Sequence, residues 1–385
     1  KDIQITIDAT LQNYGEQLMQ HKKGAIIALE PSTGEILCMI SSPSFDPNLL
    51  GGRERGTNYR ILEMDTLKPL FNRPLQAQYP PGSTFKLINA LVGQQVGVVA
   101  INTAHACYSG YHAGGMTVGC HSHASPLRLI ESISNSCNAY YCNVYRNILD
   151  KDGSKYFRNN YVRWYETVSS FGLGKKLGLD FPFELSGLIP DTAYYDKKYG
   201  YNRWHSLMTV SNSIGQGEIL TTPLQMVNMA GTIANKGFYI IPHFVKSIEK
   251  QEQIDPKYLA RRYTKVDAQY FEPVIEGMYQ AVHGGAGVTA RIARVDGLEI
   301  CGKTGTAQNP HGKDHSIFIA FAPKNDPKIA IAVYVENAGF GATWSAPIAS
   351  LMIEKYLRDS IDKTRYWIEN RILTGDLINA KQTDD

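Results

Sequence analysis

At 385 residues, with 39 Lys and Arg against 36 Asp and Glu and a net charge of +3, the chain is long enough for a large enzyme core. It carries no basic block, so nucleic-acid binding has little support. Its 43% hydrophobic content is that of a globular protein, no run approaches the roughly 18 apolar residues of a membrane span, and six unevenly placed cysteines are too sparse for a disulfide framework.

Asp8 is placed to cap a short helix through Ala9, Leu11, Tyr14 and Leu18, and Gly24 then opens a strand over 25–29. A turn at 31–34 returns the chain into a partner strand over 36–40. Both strands are apolar on both faces, which fits a sheet covered by helices on each side, with Cys38 as a small buried hydrophobe. From Ser42 to Pro81 the sequence is rich in Pro, Gly, Asn and Arg, and a mobile loop is expected around 51–56. Neither those glycines nor the run at 284–287 is a phosphate cradle, because no Gly-Lys-Ser/Thr follows. Residues 83 to about 290 read as helical with long irregular connections, including a helix over 224–231 after Thr221-Thr222-Pro223. The stretch 151–201, dense in Tyr, Arg, Lys and Gly, reads as a surface excursion with aromatics packed beneath it. Strands resume over 299–306, 316–322 and 329–336, the last two apolar on both faces and therefore central. A helix over 345–357 covers one face, and the polar tail after Arg358, with its Asp384-Asp385 end, is expected to fray. The expected class is α/β in composition (α+β in arrangement): an antiparallel sheet from 1–45 and 295–360, sandwiched by helices. A large, mostly helical subdomain (about 83–290) is inserted, with a groove between the two.

The chemistry centres on Tyr79-Pro80-Pro81-Gly82-Ser83-Thr84-Phe85-Lys86, a rigid approach, a glycine release and a helix start. Residues three apart share a helix face, so Lys86 lies beside Ser83 as a base beside a nucleophile. A lone Ser-x-x-Lys is weak. Ser136-Cys137-Asn138 and Lys303-Thr304-Gly305-Thr306 follow it in the order that a three-motif acyl-transfer site requires. Strand parity puts Thr304 and Thr306 on one face and Lys303 with Gly305 on the other.

With these motifs the chain resembles the class B penicillin-binding transpeptidases, and within them the elongation type usually called penicillin-binding protein 2. Gly34-Glu35, Asn72-Arg73, Gly215-Gln216-Gly217 and His315 ahead of 318–323 resemble that family too. The resemblance implies a β-lactamase/transpeptidase-like domain over 1–360 with 361–385 as a tail. It also implies an N-terminal anchor in the inner membrane and a pedestal domain outside this chain, with the domain itself in the periplasm. Its implied activity is D,D-transpeptidation: Ser83 attacks the carbonyl between the terminal D-alanines of a peptidoglycan stem peptide, and Lys86 takes its proton. Ser136 and Lys303 relay a proton to the departing amine, and Asn138 holds Lys86 and the substrate amide. The backbone N–H groups of Ser83 and Thr306 bind the oxyanion, Thr304 and Thr306 bind the terminal carboxylate, and Gly305 permits close backbone approach. β-Lactams are implied inhibitors, and a membrane glycosyltransferase and other elongation-complex proteins are implied partners.

Efficient hydrolysis would need a carboxylate poised over the ester; Glu218 is the only one considered, and a solvated or structural role suits it better. A serine β-lactamase, a β-lactam-sensing receptor domain and a septal synthase stay open as alternatives. Cys107, Cys120, His123 and Cys137, spaced Cys-x12-Cys-x2-His-x13-Cys, offer three thiolates and an imidazole for a structural zinc ion. His105, His112, His121 and Cys142 are rival ligands, and a Cys107–Cys120 disulfide is the competing reading.

Overall fold

The computed structural model describes residues 2–250, 254–309 and 312–380. Five strands form one antiparallel sheet: β1 (Gly24–Leu29), β2 (Ile36–Ser42), β3 (Cys301–Ala307), β4 (His315–Ala322) and β5 (Ile329–Val335), in the order β2-β1-β5-β4-β3. Both ends of the chain thus contribute, as expected, and β3 lies at an edge. The strands read as apolar on both sides because each face supports its own core. Ile27, Ile319 and Ala332 face the helical part, whereas Ile26, Phe318 and Val333 face a second layer.

That second layer is built on α1 (Ala9–Leu18), capped by the Asp8 side chain, and the late helix Ser345–Arg358. The opposite face is covered by Pro223–Ala234, wholly buried, which opens with a Thr222–Gln225 capping box. Around it the inserted part packs Lys86–Gln95, Asn138–Leu149, Phe157–Ser169 and Phe271–His283. Some aromatics of 151–201 are more than lining beneath an excursion: Tyr161, Trp164 and Tyr195 are buried in the main core, their rings meeting in tilted and edge-to-face contacts. No helix among the described residues is long and apolar enough to cross a membrane.

Three expectations differ from the structure. The chain does not fray after Arg358: a helix at Tyr366–Thr374 buries Ile368 and Ile372 in the second core, anchored by the buried Arg365–Glu354 ion pair. The 384–385 end lies outside the described residues. The glycine-rich 51–56 stretch leads straight into a helix, Arg55–Met64, that buries none of its residues. A two-stranded hairpin, Gly110–Ala113 with Met116–Gly119, interrupts the expected helical run.

Candidate active site

Ser83 sits on a 3-10 turn, Gly82–Phe85, and only at Lys86 does the α-helix begin. Three residues per turn eclipses positions i and i+3, so the turn aligns Ser83 with Lys86 more closely than an α-helix would. The turn is pressed against the edge strand. A Cβ on Gly82, at φ +56°, would lie 2.4 Å from the Thr306 carbonyl oxygen, and one on Gly305 would meet Thr84 Cγ2 at 3.0 Å. Gly82 N–H donates to the Gly215 carbonyl (2.9 Å), and Gln216 Nε2 donates to the Thr306 carbonyl (3.0 Å). Upstream, Tyr79 exchanges backbone bonds with Thr221, and its hydroxyl donates to Glu336 at 2.7 Å. Glu336 also accepts from buried Arg73, whose guanidinium holds the Leu67 and Lys68 carbonyls. His315 lies edge-on to the Tyr79 ring and accepts from the Asn337 N–H. The family-like Asn72-Arg73 and His315 positions therefore brace the approach to Ser83 and do not touch the reacting groups.

Ser136 joins two helices. Leu129–Ser134 ends just before it, and Cys137 caps Asn138–Leu149 by accepting the Tyr140 N–H at its Sγ. At φ 54° Ser136 occupies the left-handed region that usually falls to glycine. That conformation presents both its carbonyl and its hydroxyl to the lysines. Lys86 Nζ donates to Ser136 O (2.6 Å), Ser136 Oγ (3.2 Å) and Asn138 Oδ1 (2.6 Å), while Lys303 Nζ donates to Ser136 Oγ (2.7 Å). Both lysines are fully buried. Burial pushes the Lys86 ammonium down to about 8, and burial together with repulsion from Lys86 pushes Lys303 well below the usual lysine range. Ser83 lines the groove, and among the described residues no hydrogen bond joins its Oγ to Lys86, whose amine is held by Ser136 and Asn138. Asn138 Nδ2 donates one of its two N–H groups to the Gly119 carbonyl at 2.6 Å, which ties this side chain to the hairpin while it lines the groove.

The groove, about 430 Å³, is lined by Ser83, Ser136, Asn138, Thr304, Gly305 and Thr306, as the motifs suggest. Gln308, Asp314 and Phe340, which sequence reasoning missed, line it as well, together with His121 and Gln216, which it had singled out without placing them here. The signal for Gln216 was its place between two glycines.

Behind the Ser136 corner the ligand atoms of Cys107, Cys120, His123 and Cys137 all lie within 4.8 Å of one another. All six cysteines are free, including Cys107 and Cys120. Two rival ligands are engaged elsewhere, His112 with Thr117 and the Tyr108 carbonyl and Cys142 with Ser213, while His105 packs its ring on Tyr140 and is not part of the cluster. His121 packs against the His123 ring and faces the groove. A hydrogen bond from Cys137 holds the Cys120 thiol far below its ordinary range, and Asn138 N–H donates to the same sulfur at 3.2 Å. Glu218 accepts from the Tyr195 hydroxyl and pairs with Lys198, a structural role.

Curated relatives include the peptidoglycan D,D-transpeptidase MrdA of Acinetobacter baumannii, 31% identical across 92% of this chain and 54% of that protein. MrdA of Haemophilus influenzae is 30% identical across 94% and 57%. The chain thus spans a little over half the length of these relatives. Among solved structures, Pseudomonas aeruginosa PBP2 in complex with WCK 5153 superposes with a TM-score of 0.82 at 33% identity, covering 94% of this chain and 77% of that one. The PBP2–MreC complex of Helicobacter pylori gives a TM-score of 0.79 at 27% identity, with 92% and 64% covered. The penicillin binding protein transpeptidase domain matches residues 24–354, and with the three motifs converging on one groove inside that span, the chain belongs to this family.

Proposed function

We propose that this chain is the catalytic domain of an elongation-type peptidoglycan D,D-transpeptidase, acylated on Ser83 by stem peptides and by β-lactams. The observation that carries the reading is the buried Lys86–Ser136–Lys303 chain directly behind a groove-facing Ser83. Neutral Lys86 takes the Ser83 proton as Oγ bonds to the penultimate D-alanine carbonyl carbon. The carbonyl oxygen takes up the displaced electron pair between the Ser83 and Thr306 N–H groups. On collapse, the C–N bond breaks and the leaving D-alanine amine gains a proton relayed from the lysines through Ser136. An amine of a second stem peptide then attacks the ester; its proton returns by the same route and Ser83 is regenerated. The engagement of Glu218 by Tyr195 and Lys198 supports a synthase over a β-lactamase, since it leaves no poised base in that residue for water.

On the same reading the domain works in the periplasm, with inner-membrane anchoring supplied by parts of the longer relatives. The PBP2–MreC complex of Helicobacter pylori supports partners in an elongation assembly. The catalytic unit, drawn from the sequence at 1–360, is better extended through Thr374, because Ile368 and Ile372 belong to its core. Mass spectrometry after incubation with penicillin tests the assignment. The parent gains one adduct mass and Ser83→Ala gains none; an adduct on the variant removes Ser83 as the nucleophile.

The Cys107–Cys120–His123–Cys137 cluster fits a structural zinc ion. At Zn–S of about 2.3 Å a closed tetrahedron has edges of roughly 3.8 Å, so a small contraction of the cluster suffices. Supporting bonds are in place: His123 Nδ1 meets the Ala124 carbonyl, leaving Nε2 toward Cys120, and backbone N–H groups cover two of the sulfurs. The metal would tie the hairpin to the Ser136–Asn138 corner and add folding energy. Near-stoichiometric zinc, with lower melting temperature and slower acylation after chelation, is expected; metal-free protein with two fewer titratable thiols would favour the disulfide.

A further inference from the structure

We infer that Asp314 is the receptor for a protonated amine carried by the acyl-donor peptide upstream of the penultimate D-alanine. The inference rests on the acyl-transfer reading above. Of the side chains lining the groove, Asp314 supplies the only carboxylate, and among the described residues it has no ion pair. It is half-buried at the start of β4, where its Oδ1 accepts the Asn309 N–H at 3.2 Å and its carbonyl accepts the Gly339 N–H at 2.8 Å. The second bond sets the exposed Phe340 beside it.

Direction along the edge strand decides which part of a substrate meets this carboxylate. The terminal carboxylate belongs with the Thr304 and Thr306 hydroxyls, and the scissile carbonyl lies opposite the Thr306 N–H. The peptide upstream of the bond therefore runs antiparallel to β3, away from Thr304 and past Thr306 toward Gln308. His315 pairs with Ala307, which puts Asp314 beside that end of the strand. At about 3.4 Å per extended residue, Gln308 and Asp314 lie one to two residues upstream of the penultimate alanine, within reach of a long side chain there. Cross-linking consumes an amine of the stem peptide, and the donor strand, being the same polymer, carries that amine too. Asp314 meets its charge, and Phe340 covers the methylene stem that bears it.

The test compares acylation rate constants for two cephalosporins that differ only in their acyl side chain, one ending in a primary ammonium and the other in its N-acetyl derivative. The parent is expected to favour the cationic probe by about three- to tenfold, as suits a half-exposed ion pair, and less at high salt. Asp314→Asn should bring the ratio to about one, and Asp314→Glu should retain most of the preference. A parental ratio of one, a ratio unchanged in Asp314→Asn, or a ratio lost equally in Asp314→Glu overturns the inference. If neither probe acylates the parent, the acyl-transfer reading itself fails.

Discussion

Replacing Lys86 with Met removes the amine while keeping a chain of similar length, and the structure gives the expected size of two separate effects. On rate, loss of a positioned base costs about 10²- to 10⁴-fold in acylation, or roughly 3–5 kcal/mol of barrier. On stability, burial lowers Lys86 from 10.5 to about 8. Below pH 8 the amine is protonated in both folded and unfolded chains, and the folded state bears the full burial cost of about 3 kcal/mol. Between pH 8 and 10.5 the unfolded chain binds more protons than the folded one, so stability rises with pH through that window. From pH 7 to pH 10 the gain is roughly 2–3 kcal/mol. The Met variant lacks it, although at pH 7 its relief from burying a charge is offset by the acceptors left at Ser136 and Asn138. Urea unfolding of both proteins across pH 7–10 measures the difference, which also contains the release of Lys303 from its repulsion by Lys86. Parallel stability curves, or a variant acylated within tenfold of the parent, would refute the assignment of Lys86 as a buried, depressed base.

Replacing Thr304 and Thr306 together with Val keeps shape and strand preference but removes both hydroxyls. Acylation should slow by about one to two orders of magnitude, from ~1–3 kcal/mol for hydrogen bonds to a charged group; an unchanged rate places the carboxylate elsewhere. Gly82→Ala combines a left-handed backbone with a Cβ 2.4 Å from the Thr306 carbonyl oxygen. It should lower the melting temperature and slow acylation at least about tenfold, because the nucleophile is displaced from the edge strand; parental kinetics would dismiss that contact as unimportant. Glu336 is half-buried, and the desolvation alone would raise its carboxyl, but Tyr79, Lys23 and Arg73 together hold it below the usual range. Its contribution is present above the unfolded-state value and is lost as pH falls through the folded one. Glu336→Gln should therefore flatten the acid limb of the stability curve, and an identical limb in the variant would exclude this network.

The sheet was legible because β1, β2, β4 and β5 are each covered on both faces and so read as continuous apolar runs. The three motifs were legible because acyl-transfer chemistry needs fixed spacing within each, and the structure brings them to one groove. The Gly110–Gly119 hairpin was not, since its strands are short, glycine-rich and largely exposed, with no hydrophobic period to read. Tyr366–Thr374 escaped for a related reason: Ile368 and Ile372 make its only buried contacts while Tyr366 and Trp367 face solvent. Asp314 and Phe340 carry no motif. Only the pairing of β3 with β4, and the bond from Gly339 to Asp314, bring them to Ser83.

An edge strand that must remain available to a peptide is also a template on which another protein chain could propagate a sheet. Here β3 is recessed. The Gly82–Phe85 turn presses on it from one side, and Gly341 lies so close on the other that an added Cβ would sit 2.4 Å from the Ile317 carbonyl and 2.8 Å from that of Gly305. Backbone packed this closely on both sides limits what can reach the free edge of β3. Close packing at this edge is thus also a guard against self-association, and substitutions that loosen it carry a colloidal risk separate from any change in acylation.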